Sequence, residues 1–317
     1  MNILVVGAGG QIGTELIPHL QSLYGEDNVI AADIKKENVD KMSLFSRAVT
    51  LDALDLTSFT RIVSGDKINR IYNLVALLSA TGEKNPKLAW DINMGALINS
   101  LELAKEYNCS IFTPSSIGAF GHSTPHQNTP QDTVMRPNTI YGVCKVSGEL
   151  LGDYYYTRFG VDTRSVRFPG IISSGCLPGG GTTDYAVEVF YDILKTGHYT
   201  CPIPENTYMD MLYMPDALIA CTQLMDCNPS SLIHRNSFNV TAMSFSPKEL
   251  FAAIKKRVPT ATFSYDIDPV KERISVSWPD SMDDSCARNE WGWNPKWDME
   301  LMVDDMLEKI GTKINSI

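Results

Sequence analysis

The chain has 317 residues, of which 44% are hydrophobic and 20% charged. That length and balance fit a globular protein of one large or two modest domains. A formal charge of −10 argues against nucleic acid or an anionic membrane as main partner, and no apolar run of about 18 residues is present to span a bilayer.

Ile3 to Val6 reads as a short apolar strand that breaks at Gly7. A helical pattern follows from Gln11, with Ile12, Leu16, Leu20 and Leu23 on one face. Gly7, Gly10 and Gly13 therefore stand at a strand-to-helix turn with G-x-x-G-x-x-G spacing. The first glycine permits the tight turn, the second lets backbone approach a pyrophosphate, and the third lets helix pack on strand. The unpaired N–H groups of the helix then face the phosphates. "NVIAADI" is a second strand ending at Asp33, twenty residues after Gly13. An acid at that place bonds the adenosine ribose hydroxyls and repels a 2′-phosphate, which favours NAD over NADP. The plain alternative for Asp33 is a loop cap. Lys35 and Lys36 are a counter-signal, because basic residues just past the strand can hold a phosphate.

"RAVTLDALDL" gives a third strand, with Asp52 positioned to touch the adenine edge. "RIYNLVALLSA" is a fourth, "LAWDINMGALINSLELAKEYN" a long amphipathic helix, and "SIFTPSS" a fifth strand. "TRSVRFPGI" forms a sixth after one more helix. Strand and helix alternating in this way predict an α/β fold with a doubly wound parallel sheet.

The helix before the sixth strand opens with "TIYGVCKVSGELLGDYYY", so Tyr141 and Lys145 lie one turn apart and project to the same side. Tyr191 and Lys195 repeat the spacing in "YDILK", which reads as ordinary helix surface. The first pair differs because Ser115 and Ser116 end a strand 25 residues earlier, where ligands of doubly wound sheets bind. A free tyrosine ionises near about pH 10 and is a poor base at neutrality. A neighbouring ammonium and a positive nicotinamide ring both favour the phenolate. Ser116 can hold a substrate oxygen while Tyr141 removes its proton.

"LPGGGTTDYA", residues 177–186, carries three consecutive glycines, which cost backbone entropy. No Gly-Lys-Ser/Thr follows, so it is not a P-loop. A flexible turn is one reading. The other is a small-ligand site: Asp184 is an acceptor-only partner for an ammonium, and Thr182 and Thr183 can donate to a carboxylate. That set suits an amino acid, while Asp184 as a plain helix-start residue remains open. Few arginines follow residue 170, which suits a nucleotide-sugar poorly. Further on, Ser246, Pro247 and Glu249 predict a capped helix carrying Leu250, Phe251, Ile254 and Val258, and a last helix covers about 298–310. Cysteines 109, 144, 176, 201, 221, 227 and 286 form no C-x-x-C pair and read as buried thiols in a reducing compartment.

Glycine turn, Asp33, "PSSIGAFG", Tyr141-x-x-x-Lys145 and "RFPGIIS" together resemble the extended short-chain dehydrogenase/reductase family. Within it, "ALLSATGE", "LPGGGTTDYA", "LYMPDAL", "TAMSFSPKEL" and "SWPDSMDDSCARNEWGW" closely resemble the short-chain type of L-threonine 3-dehydrogenase. The resemblance covers the whole chain. It implies a Rossmann NAD-binding domain at 1–169 (with part of about 200–235) and a smaller, discontinuous substrate-binding and C-terminal domain at 170–317. It implies NAD contacts at Gly7, Gly10, Gln11, Ile12, Gly13, Asp33, Ile34, Lys35, Asp52, Ala53, Ala76, Asn93, Tyr141, Lys145 and Ile171. Substrate contacts fall on Ser79, Ser116, Tyr141, Thr182, Thr183 and Asp184, with Tyr141, Lys145 and Ser116 catalytic and no metal. Cys144 departs from the serine or threonine usual there, with no catalytic consequence expected. The implied activity is oxidation of L-threonine at its β-carbon to 2-amino-3-oxobutyrate. A nucleotide-sugar epimerase or reductase is the alternative, and a non-catalytic NAD-binding regulator a third reading that the intact Ser116, Tyr141 and Lys145 disfavour. The resemblance also implies a homodimer through helices 88–108 and 139–159. A strand starting at Ile3 leaves no room for a targeting peptide, so the cytoplasm is the expected compartment, although a processed organellar form would read the same.

Overall fold

The structure is a computed structural model and describes residues 1–175, 177 and 179–315. The first half alternates as the sequence predicts: β1 (Ile3–Val6), α1 (Gln11–Tyr24), β2 (Val29–Asp33), α2 (Lys36–Met42), β3 (Arg47–Thr50), α3 (Leu56–Gly65) and β4 (Arg70–Asn73). Then come α4 (Ser79–Lys84), α5 (Pro86–Tyr107), β5 (Ser110–Phe112), β6 (Ser115–Ser116) and α6 (Ile140–Phe159). β7 (Thr163–Arg164), β8 (Val166–Phe168) and β9 (Gly170–Ile172) follow in quick succession.

Six strands pair in the order β3-β2-β1-β4-β5-β7, all parallel. Every residue of β1 is buried, yet its side chains still alternate between faces. Ile3 and Val5 enter one layer with Leu16 and Leu20 of α1, while Leu4 and Val6 enter the other with Phe59 and Leu101. Helices therefore cover both faces, which makes the sheet doubly wound.

The predicted fifth and sixth strands are each broken. Thr113 and Pro114 interrupt "SIFTPSS", and Ser165 and Pro169 cut "TRSVRFPGI" into three pieces. The pieces feed different sheets: β5 pairs with β7, β6 with β8, and β9 with β11 (Met209–Tyr213). Proline has no N–H to give a ladder, so the chain steps to a new sheet at Pro114 and Pro169. Those steps carry the strand ends outward over the sheet's carboxyl edge.

A second, smaller lobe is discontinuous in sequence. Its core joins α7 (Tyr185–Thr196) and β10 (His198–Cys201) to much later segments. In between, α8 (Met214–Asp226) returns to the first lobe and packs with α1. After β12 (Phe238–Asn239) and β13 (Met243–Phe245), α9 (Pro247–Arg257) starts with a complete capping box between Ser246 and Glu249. β14 (Thr262–Tyr265), α10 (Pro269–Ser275), α11 (Ser285–Trp291) and α12 (Met299–Asn315) complete the chain. Leu250, Phe251, Ile254, Met302 and Met306 fill the second core, whereas Trp291 and Trp293 pack with α8 in the first. Among the described cysteines, 109, 144, 201 and 221 are buried, but 227 and 286 are only half-buried. Cys176 lies outside the described residues.

Candidate functional site

The glycine turn closes with Gly7 at φ +80°, where any side chain is strained, and its N–H donates to Ala32 at 2.9 Å. Gly13 packs against the carbonyl of Ala8 in the turn itself, too closely for a Cβ. Gly10 is different. Its φ is −78°, and a Cβ would meet only the Gly7 oxygen at 3.4 Å. Nothing in the protein demands glycine there, so the open space serves whatever enters the cleft in front of α1. No acid stands in the first turn of α1, which keeps its N-terminus attractive to an anion.

That cleft measures about 570 Å³ and is lined by Gly7, Gly10, Asp33, Ile34, Lys35, Asp52, Ala53 and Ala76, together with Asn38 and Leu74. Asp33 is buried and held from three sides. Oδ2 accepts from Gly9 N at 2.8 Å, and Oδ1 from Lys35 N at 2.9 Å and Asn38 Nδ2 at 3.0 Å. A carboxylate offers about four acceptor positions, so capacity for a further hydroxyl remains. Asn38 escaped the sequence reading, because only the fold brings it to Asp33. Gly13 and Asn93 line neither this cleft nor the next one. Asn93 braces the loop after β4, accepting from Leu77 N at 2.7 Å and donating to Leu77 O at 3.2 Å.

A second pocket of about 160 Å³ shares Leu74 and Ala76 with the first, so the two adjoin above β4. It gathers Gln11, Ile12, Ser79, Ser116, Tyr141, Lys145, Ile171, Thr182, Thr183 and Asp184. Trp278, Leu78 and Gly170 line it too, and these the sequence reading did not single out. "SWPDSMDDS" was the available signal for Trp278, but no local pattern shows that it reaches this pocket.

Three contacts fix the Ser116–Tyr141–Lys145 geometry. Ser116 caps the turn after β6, its Oγ accepting from Gly118 N at 3.1 Å. The Tyr141 ring lies against Gly118, where a Cβ would come within 3.1 Å of it. Lys145 donates to the Pro114 carbonyl at 2.6 Å, with its Nζ 5.3 Å from the Tyr141 ring centroid. One turn further along α6, buried Glu149 pairs with Arg167 at 2.9 Å and accepts from Ser115. Helix and strand end are thereby tied together on both sides of Ser116. The Tyr191–Lys195 pair has similar internal geometry, 5.7 Å, but lies in α7 beside the second core and in neither cleft. Burial pushes the Cys144 thiol up, so it stays protonated.

The glycine loop turns inward on Asp184. Its Oδ2 accepts from Gly180 N at 2.9 Å and Gly181 N at 2.6 Å. Gly180 has φ +96°, and a Cβ on Gly181 would stand 2.7 Å from Asp184 Oδ1. Two of the three glycines thus allow backbone amides to grip one carboxylate. Burial is the main influence on Asp184 and raises its pKa, which the two amides partly offset. Thr182 Oγ1 lies 3.5 Å from Ser79 Oγ, joining the loop to α4. At the root of the loop, Ser173 donates to Glu15 of α1, while Lys313 of α12 donates to the carbonyls of Ser174 and Gly175. Pro178 lies outside the described residues.

A glycine-cradled cleft on a doubly wound sheet, opening beside a Ser-Tyr-Lys set, defines a dinucleotide-dependent enzyme. Residues 3–240 match the NAD dependent epimerase/dehydratase family, and the chain belongs to it. An uncharacterized epimerase/dehydratase of Staphylococcus aureus is 51% identical over 98% of this chain and 97% of its own. The crystal structure of L-threonine dehydrogenase from Clostridium difficile superposes with TM-score 0.96 at 51% identity, covering 98% of each chain. That of L-threonine dehydrogenase from Phytophthora infestans gives 0.95 at 46%, over 99% of this chain and 100% of the other. The protein is an NAD-dependent oxidoreductase, and the open backbone at Gly10 and the acceptor at Asp33 fit that cofactor. No helix among the described residues is long and apolar enough to cross a membrane.

Proposed function

We propose that the enzyme oxidises L-threonine at its β-carbon to 2-amino-3-oxobutyrate. The observation that carries this reading is the small pocket joining Ser116 and Tyr141 to Thr182, Thr183 and Asp184. Its volume suits an amino acid, whereas a nucleotide-sugar needs space for a second nucleotide.

NAD, when bound in the larger cleft by the glycine turn, Asp33 and Asp52, supplies the hydride acceptor. Tyr141 takes the proton of the β-hydroxyl as general base. Lys145, its ammonium anchored on the Pro114 carbonyl, favours the phenolate form. Ser116 Oγ, already a hydrogen-bond acceptor toward Gly118, has its own proton to give the substrate oxygen. Thr182 and Thr183 receive the α-carboxylate. Asp184 receives the α-ammonium through Oδ1, which takes no hydrogen bond among the described residues. The loop bearing these groups closes over the substrate and excludes water.

The active species is a homodimer assembled through α5 and α6. These helices pack on each other and still expose Leu88, Ile98, Val143, Leu150 and Tyr154. The cytoplasm is the proposed compartment. Following NADH formation with a panel of amino acids and UDP-sugars tests the activity. Turnover confined to L-threonine and its close analogues supports it, and turnover with a UDP-sugar but no amino acid refutes it.

A further inference from the structure

Ser173 to Gly175 form the root of the glycine loop, just past β9. Ser173 and Ser174 are buried, whereas Gly175, Leu177, Gly179 and Gly180 are exposed. Helices from opposite ends of the chain direct polar groups at this root. From α1, Glu15 Oε1 accepts from Ser173 Oγ, which in turn accepts from Gly175 N at 2.9 Å. From α12, Lys313 Nζ donates to the Ser174 carbonyl and, at 3.0 Å, to that of Gly175. Gly175 is not among the glycines at positive φ, so φ alone does not require glycine there. A Cβ at 175 would overlap the Glu15 carboxylate, and that contact is what excludes a side chain.

A general tie between the two lobes accounts for either contact, but not for both falling on the same three residues. Glu15 stands one turn beyond Gln11 on α1. Gln11 and Ile12 line the smaller pocket, and Gly10 lines the cofactor cleft. The loop root is therefore bonded to the helix whose start serves both clefts, while Glu15 and Lys313 themselves line neither. We propose that Glu15 and Lys313 are positioning residues for the substrate loop. They clamp its root, so that the Gly180 and Gly181 amides reach Asp184 and the groups at 182–184 stand ready before substrate arrives. This rests on the reading of the smaller pocket as the threonine site. Apparent affinity scales with the population of the binding-competent arrangement. Releasing the root lowers that population, and bound substrate restores it. The loss therefore falls on substrate affinity and spares the chemical step at Tyr141.

The test uses the full chain saturated with NAD. Amide hydrogen exchange over residues 173–184, read by mass spectrometry, reports the clamp without any substrate. Exchange there should quicken about threefold or more in Glu15→Ala and in Lys313→Met, with α5 and α6 unchanged. The KM for threonine should rise about tenfold in Glu15→Ala, the worth of one charge-assisted hydrogen bond. Lys313→Met should raise it about threefold, because that ammonium is exposed to water. In both variants kcat and NAD affinity should stay within about twofold of the parent. Glu15→Gln keeps an acceptor for Ser173, and Lys313→Arg keeps donors for the two carbonyls, so both should restore parental exchange and KM. Unchanged exchange in Glu15→Ala and Lys313→Met overturns the clamp. So does failure of the conservative variants to rescue, or a loss confined to kcat and thermal stability, which marks a merely structural tie. A parent enzyme that does not oxidise threonine removes the proposed activity, and the exchange measurement then decides the clamp by itself.

Discussion

Gly142 approaches the carbonyl of Gly118 so closely that a Cβ at position 142 would overlap its oxygen. This contact seats the start of α6 against the turn after β6, and so sets Tyr141 beside Ser116. Gly142→Ala must push the two apart. Overpacking of this kind costs about 1–3 kcal/mol, and the displaced tyrosine should lower kcat more than it alters the KM for NAD. Thermal unfolding and steady-state kinetics on one preparation measure both effects. A variant matching its parent in both would mean that the contact relaxes freely.

Tyr141→Phe keeps the ring and removes the proton acceptor. We expect kcat to fall about 10²–10⁴-fold with NAD binding preserved. Tyr191→Phe is the control, because its lysine sits at a comparable distance from the ring yet away from both clefts. Equal behaviour of the two variants would remove Tyr141 from its role as base.

Asp33 serves both the cofactor cleft and the turn that frames it. Asp33→Ser should lower the ratio of kcat/KM for NAD over NADP by about tenfold or more, as the repulsion of a 2′-phosphate disappears. It should also cost about 1–3 kcal/mol, since the Gly9 amide loses its acceptor. Asp33→Asn retains an oxygen for that amide and separates the two effects. Comparable turnover of both cofactors by the native enzyme would refute the preference and implicate Lys35, which lines the cleft.

The nucleotide half was legible because its signals are local. Three glycines, an apolar tetrapeptide and an acid at the end of β2 lie within 33 residues, and parallel pairing follows from their alternation with helices. The second pocket is assembled by packing, from Ser79, Ser116, Gly170, Thr182 and Trp278, which no periodicity connects. Resemblance to a family supplied Ser79, whereas the threonines stood out from the chemistry of the glycine loop itself. Neither route supplied Trp278, or the grip of Asn38 on Asp33. The broken strands were readable in principle, since Pro114 and Pro169 stood inside the segments assigned to them. Their β-branched neighbours outweighed that signal.

Asp210 gives the fold a pH dependence. It is fully buried in β11, accepting from Thr241 and from the amides of Met282 at 2.7 Å and Met211 at 3.1 Å. Burial raises its pKa to about 7, against an unfolded value near 3.9. Between those values the native state holds a proton that the unfolded state has released. Stability therefore falls as pH rises from about 4 to 7, by up to about 4 kcal/mol. Asp210→Asn should flatten this part of the profile, as measured by denaturant unfolding across the range. An unchanged slope would show that Asp210 is ionised throughout.

Asp184 has two candidate duties: gripping its own loop and receiving the substrate ammonium. The grip needs only an oxygen for the Gly180 and Gly181 amides, which an asparagine also offers. The ammonium needs a negative charge. If the charge is what matters, Asp184→Asn and Asp184→Ala should both raise the KM for threonine about ten- to a hundred-fold, the worth of one charge-assisted hydrogen bond. The affinity for NAD should stay unchanged in both, because the carboxylate lines only the smaller pocket. Gly180→Val should instead lower turnover, since φ of +96° excludes a β-branched residue and the loop must rearrange. Titrating threonine at saturating NAD, with NAD binding measured separately, resolves the three variants. Full recovery of threonine kinetics in Asp184→Asn alone would assign the carboxylate to the loop, leaving the ammonium to another group.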